Sequence, residues 1–209
     1  MQELFIQILQ LKTSMGIQRR NCFPKTKLHS ENLFYRAQNF SLLGGIDVIE
    51  LITCAFHDDV TGRFAIHIIV DHNIRAEKLN YLEYDAFVLP GGFHGYGFDE
   101  AYNSELGEIA KIFNKNDKPI ATLCVGVLPV SDAGLLKDKK ATTYNLSRYH
   151  DNPARLKKGG AIYTGAKVEF DNNIISCAGP ASSLDVAYKL VELLTGKETM
   201  NEIKKLMIL

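Results

Sequence analysis

Lys118-Pro119-Ile120-Ala121-Thr122-Leu123-Cys124-Val125-Gly126 is the stretch on which the fold turns. A compact apolar strand ends at a nucleophile-type residue, a helix begins directly after it, and glycine follows two positions on. This is the pattern of a nucleophile elbow, a strained strand-to-helix turn that presents its side chain at the carboxyl end of a sheet. The glycine lets the helix approach the strand closely. A thiol at such a turn points toward a helix N-terminus, whose partial positive charge favours thiolate, so Cys124 is expected to be reactive with a lowered pKa. The competing reading is a core thiol packed for its apolar character alone.

Upstream, residues 84–89 read as a short buried strand ended by Pro90-Gly91-Gly92. The glycines free backbone N–H groups near the same sheet edge, and with the N–H of Val125 they would form an oxyanion hole. Alone, Pro-Gly-Gly is only a turn. Its value lies in spacing, since one helix and one short strand bring the two loops side by side. That helix is expected over residues 99–116, where Tyr102, Leu106, Ile109, Ala110 and Phe113 recur at helical spacing. Further out, residues 46–56 and 64–70 read as two strands forming a hairpin or edge pair across a polar turn. Leu184, Ala187, Leu190, Val191 and Leu194 mark a second strong helix closed by Gly196. Thr195-Gly196-Lys197-Glu198 has the spacing of a capping box for a last short helix. Alternating apolar runs and helical periods from residue 46 onward give an α/β domain, with helices on both faces of a sheet and no internal boundary across residues 1–209. The first 40 residues hold one strand-like run, 4–9, and then a polar, basic stretch without a clear period.

Composition narrows the function classes. Twenty-four basic and 24 acidic residues cancel, leaving no positive field to recruit nucleic acid or an anionic membrane. No apolar run reaches the ~20 residues of a membrane helix, and residues 1–11 lack the basic leader of a signal peptide. Four scattered cysteines without a C-x-x-C pair argue against a zinc knuckle or disulfide framework and fit a reducing, cytoplasmic setting. Cys54 and Cys177 read as small buried hydrophobes of strands. His67 and His72 are the weakest idea of a metal site, so no metal and no cofactor are expected.

The motifs Asp85-Ala-Phe-Val-Leu-Pro-Gly-Gly92, Lys118 to Gly126, Ser131-Asp-Ala-Gly-Leu-Leu136, Lys140-Ala-Thr-Thr-Tyr144 and Ile174-Ile-Ser-Cys-Ala-Gly-Pro180 resemble, in order and spacing, those of the ThiJ/PfpI superfamily. The resemblance implies a flavodoxin-like three-layer sandwich with a mostly parallel sheet, related to class I glutamine amidotransferases and usually homodimeric. It places the nucleophile on Cys124 and the oxyanion loop on Gly91 and Gly92. The protease-like branch has histidine after the cysteine, where this chain has Val125, which counts against peptidase activity. The branch resembling the parkinsonism-associated deglycase takes a histidine from the strand after the elbow helix, where Tyr144 stands here. His150 a few residues on, or His94 in the oxyanion loop, would have to assist the thiol, and the alternative for each is a solvated loop histidine. The family's catalytic glutamate has one candidate, Glu31, whose simpler reading is an acidic residue at a helix start. The implied function is cofactor-free cysteine chemistry on a small carbonyl substrate. The alternatives are a redox-sensing stress protein or chaperone using the same cysteine, and amide hydrolysis.

Overall fold

The computed structural model describes residues 5–11, 49–61 and 67–208. Glu31, Cys22 and the polar stretch after residue 11 lie outside the described residues, as do the starts of the strands expected from 46 and 64. The strands are β1 (Phe5–Leu11), β2 (Ile49–Ala55), β3 (Asp59–Thr61), β4 (His67–Ile69), β5 (His72–Asn73), β6 (Ala86–Leu89), β7 (Ile120–Thr122), β8 (Lys140–Ala141), β9 (Ile162–Tyr163), β10 (Val168–Asp171) and β11 (Ile174–Cys177). The α-helices are α1 (Ser104–Lys115), α2 (Val127–Asp132), α3 (Asn152–Lys158), α4 (Ser183–Thr195) and α5 (Lys197–Leu206).

Seven strands form one sheet in the order β10-β11-β7-β6-β1-β2-β5. The expected parallel character resides in its centre, where β6, β7 and β11 run the same way, and in the edge pair β2 and β5. The sheet as a whole is mixed, because β1 lies antiparallel to both β2 and β6, and β10 is antiparallel to β11. Period-two alternation divides the central strands between two cores. Phe87, Leu89 and Ile120 face Leu106, Ile109, Ala110 and Phe113 of α1 and the apolar residues of α2. Ala86, Val88, Ala121, Ile175 and Cys177 face Val186 and Leu190 of α4. With both faces covered, β6 and β11 are buried along their whole length, which is why β6 reads as an unbroken apolar run and β11 is broken only by the buried Ser176. Each large side chain so buried contributes about 2 kcal/mol of transfer free energy. Phe87 and Phe113 also meet as tilted rings, centroids 5.6 Å apart. A third cluster seats Met200 and Ile203 of α5 on Tyr188 of α4.

Three local expectations change. Residues 46–56 and 64–70 do not pair as one hairpin: β4 pairs antiparallel with the short β3, and β5 supplies the parallel edge of β2. The helix expected over 99–116 is divided into a 3₁₀ turn, Phe98–Tyr102, and α1, because the Asn103 side chain accepts from the Leu106 N–H at 2.9 Å and restarts the helix there. The capping box at 195–198 does not form. Gly196 takes the cap with φ 92°, and the Thr195 hydroxyl donates back to the Val191 carbonyl at 2.8 Å.

Candidate active site

β7 ends at Thr122, whose hydroxyl donates to the Ile175 carbonyl at 3.0 Å and ties the strand to β11. The chain then turns at Cys124, which has φ 56°, a left-handed conformation that a cysteine adopts only when its surroundings impose it. A 3₁₀ turn, Cys124–Gly126, leads into α2. Two glycine contacts hold this geometry. A Cβ on Gly126 would strike the Leu89 carbonyl oxygen and lie 3.0 Å from that of Pro90, so the turn fits beneath the end of β6 only without a side chain. A Cβ on Gly91 would lie 2.6 Å from the Leu123 carbonyl oxygen and 2.8 Å from Cys124 Cβ. The double-glycine bend and the elbow are therefore in direct contact. Gly92 backs onto the Phe98 ring instead. Among the described residues, neither the Gly91 nor the Gly92 N–H has an acceptor. Thr143 Oγ1 donates to the Cys124 carbonyl at 3.0 Å and fixes the elbow from the far side.

The electrostatics reverse one expectation. Burial pushes the Cys124 thiol up to about 11, the N–H of Val125 pulls it down by facing the sulfur, and Cys177 adds a small upward push. The lowered pKa expected from a helix N-terminus is not found, because a 3₁₀ turn followed by six α-helical residues aims a single amide at the sulfur. Desolvation outweighs that amide. At neutral pH the resting group is a thiol, and the partly buried sulfur still packs against the core on the α1 side. Its neighbour Cys177 is fully buried and has its own pKa raised, chiefly by burial.

The histidines lie together. The rings of His94 and His150 stand 4.5 Å apart between centroids, and His94 Nε2 is 2.7 Å from the Tyr102 hydroxyl. Arg155 of α3 lays its guanidinium over the Tyr102 ring, 3.8 Å from its centroid, and is bound to Asp132 at 2.6 Å. Burial, helped by the charge His150 can carry, holds the His94 pKa below its usual value. No described histidine or carboxylate is among the groups that shift the Cys124 thiol. Tyr144 is half-buried against the same core as Cys124, and its carbonyl accepts from Asn152 Nδ2 at 2.9 Å. A Cβ on Gly179 would touch its ring at 3.5 Å. Glu31 lies outside the described residues.

His67 and His72 face their own carboxylates, Asp59 at 3.1 Å and Glu77 at 2.9 Å. Among the described residues, no cluster of three or more histidine, cysteine or carboxylate groups is arranged to hold a metal ion, and no helix is long and apolar enough to cross a membrane. Three features of the site carry no functional mark in the sequence. The Thr143 anchor carried no signal beyond its place in Thr142-Thr143-Tyr144. Cys177 looks like any small apolar strand residue, and the Tyr102–Arg155 stack joins residues too far apart in sequence for spacing to pair them.

The chain resembles known proteins across this region. Drosophila melanogaster Protein DJ-1alpha is 29% identical over 143 residues, covering 68% of this chain and 62% of that protein. A Methanocaldococcus jannaschii protein is 35% identical over 118 residues, covering 54% of this chain and 55% of that protein. The Bacillus subtilis protein YraA is 31% identical over 122 residues, with 58% and 67% covered. The chain thus spans less than two thirds of the length of the first two. Among solved structures, Drosophila melanogaster DJ-1beta superposes with a TM-score of 0.61 at 24% identity over 73% of this chain and 77% of that one, which speaks to the fold alone. A ThiJ/PfpI family protein from Pseudomonas syringae superposes with a TM-score of 0.62 at 26% identity, over 74% and 61%. With the DJ-1/PfpI family model matching residues 30–193, elbow and glycine bend included, the chain belongs to the DJ-1/PfpI family.

Proposed function

We propose that the chain is a cofactor-free, cysteine-dependent enzyme acting on small carbonyl compounds, with glyoxalase-like or deglycase-like chemistry. The observation that supports this reading is the contact between the elbow and the double-glycine bend. Cys124 stands at φ 56° against Gly91, beside backbone N–H groups that have no acceptor among the described residues. The sulfur, relieved of its proton, adds to an aldehyde carbon, and the carbonyl pair becomes an alkoxide held by the Gly92 and Val125 amides. For a 2-oxoaldehyde, a proton then moves from C1 to C2 through the enediol, leaving a thioester. Water cleaves it to a 2-hydroxy acid and regenerates the thiol. Because the resting thiol is protonated at neutral pH, the addition needs a base, which we assign to Glu31, the candidate for the family's acid, with His150 as the alternative although no described histidine bears on the thiol. Tyr144 and His94 would border the substrate.

Three unpaired cysteines, Cys54, Cys124 and Cys177, suit a reducing cytoplasmic setting. We assign the assembly as a homodimer on the family resemblance, to be checked by sedimentation. The test of function is methylglyoxal consumption by the purified protein. Turnover that falls by about 10²-fold or more in Cys124→Ser is expected. No consumption, or equal consumption by the variant, would overturn the reading. Amide hydrolysis rests on fold analogy alone and would appear as ammonia release from simple amides.

A further inference from the structure

One peptide unit at the elbow is gripped at one end and used at the other. The Cys124 carbonyl and the Val125 N–H belong to the same planar trans amide, so they point in opposite directions and cannot be aimed independently. The Thr143 hydroxyl donates to the carbonyl at 3.0 Å. On the opposite side the N–H faces the Cys124 sulfur, and its nitrogen lies 3.4 Å from where a Cβ on Gly91 would stand, beside the double-glycine bend. Thr143 is itself held in place. It is fully buried, and the residues on either side of it are tied down. Thr142 donates from its N–H to Ser176 Oγ at 3.0 Å and from its hydroxyl to the Ala166 carbonyl at 2.8 Å, and the Tyr144 carbonyl accepts from Asn152 Nδ2 at 2.9 Å. A β-branched side chain on so fixed a backbone has little χ1 freedom, so its hydroxyl stays on the carbonyl.

We infer that Thr143 is a positioning residue for the oxyanion amide: by fixing the Cys124 carbonyl it aims the Val125 N–H, and by donating to that carbonyl it makes the N–H a stronger donor. A hydrogen bond accepted at one end of an amide polarises the other end. The aim also needs defending. Cys124 stands at φ 56°, a strained conformation that gives the turn a reason to relax, and rotation of this peptide would carry the N–H away from the sulfur. Thr143 acts on the reaction only through that peptide plane. The catalytic use of the amide rests on the carbonyl reading above, whereas its aim rests on the geometry alone.

The test compares the full chain with Thr143→Val, which removes the donor at nearly constant shape, and Thr143→Ser, which keeps it. Iodoacetamide alkylation of Cys124, followed by peptide mapping at pH 8, reads the thiolate fraction. Because the Val125 amide pulls the thiol pKa down, misaiming it in Thr143→Val should slow that alkylation about 3-fold. The kcat on methylglyoxal should fall about 10-fold with KM changed by less than about 2-fold. Thr143→Ser should return both readouts to within about 2-fold of wild type. Wild-type alkylation and turnover in Thr143→Val, or a Thr143→Ser as slow as the valine variant, would overturn the inference. If the valine variant does not fold, wild type itself decides. Its Thr143 hydroxyl proton should exchange with water slowly enough to be followed by NMR, and a freely exchanging proton would equally overturn the inference. Wild type that consumes no methylglyoxal removes the carbonyl reading alone, and the alkylation arm still judges the aim of the amide.

Discussion

The elbow and the histidine cluster are two polar regions of one protein built on opposite plans. At the elbow, backbone constraint comes first: a left-handed Cys124, a Gly126 that tolerates no Cβ under the Leu89 and Pro90 carbonyls, and a Gly91 pressed against the nucleophile. At the cluster, side chains do the assembling: His94 on Tyr102, His150 on His94 and Arg155 over the Tyr102 ring. A site held by close backbone approach has no slack, whereas a site held by half-buried side chains near the surface can lose a member and keep its shape. This difference sets how each region should respond to change.

The largest effect is expected at the backbone seam. Gly126→Ala forces a methyl group into two carbonyl oxygens of the neighbouring loop, and should cost about 3 kcal/mol or more in urea unfolding, because backbone on both sides leaves little room to relax. A loss below ~1 kcal/mol would mean that the seam is looser than the contacts imply.

A middle effect is expected from the thiol. Its folded pKa is raised from 9.0 to about 11, so folding favours the protonated form. That contribution is complete below pH 9.0 and is lost as pH rises toward 11. Wild type should therefore lose roughly 2 kcal/mol more stability than Cys124→Ala between pH 8 and pH 11. The buried Cys54 thiol, raised to about 12, is common to both proteins and cancels in the comparison. Equal losses in the two would remove the account of a desolvated elbow sulfur.

The smallest effect is expected at the cluster. Tyr102→Phe deletes the 2.7 Å contact with His94 while keeping the ring beneath Arg155, and should cost about 1 kcal/mol. It should also move the His94 titration, followed by NMR, without changing the alkylation rate of Cys124. A changed alkylation rate would show that the two regions are coupled.

The same contrast explains what could be read in the sequence. The elbow was legible because strand, nucleophile and glycine are neighbours in the chain, and the Pro90-Gly91-Gly92 bend was legible because glycines mark places where backbones must touch. The direction of β1 was not, since a seven-residue run of apolar residues interrupted by Gln7 and Gln10 carries no mark of which neighbour it joins or which way it points. The break at Asn103 was signalled by its capping side chain, but helical spacing on both sides of it concealed the restart. α3 does carry a start signal in the sequence: Asp151 caps it by accepting from the Ala154 N–H at 2.9 Å, with Pro153 in its first turn. The sign of the thiol shift lay beyond sequence reasoning. It depends on how much hydrocarbon surrounds the sulfur against how many amides reach it, and only packing fixes that balance.

The Gly126 seam also limits redesign of the elbow. Widening it for a bulkier guest cannot begin at Gly91, Gly126 or the carbonyls above them, because each is another's wall. Spare volume has to come from the loop carrying Phe93, Gly95 and Tyr96, where a Cβ on Gly95 meets no atom within 4 Å, and from the exposed run around Leu146 and Tyr149. Room near the elbow should therefore be adjustable from the exposed loops inward, with the backbone contacts that hold Cys124 left untouched.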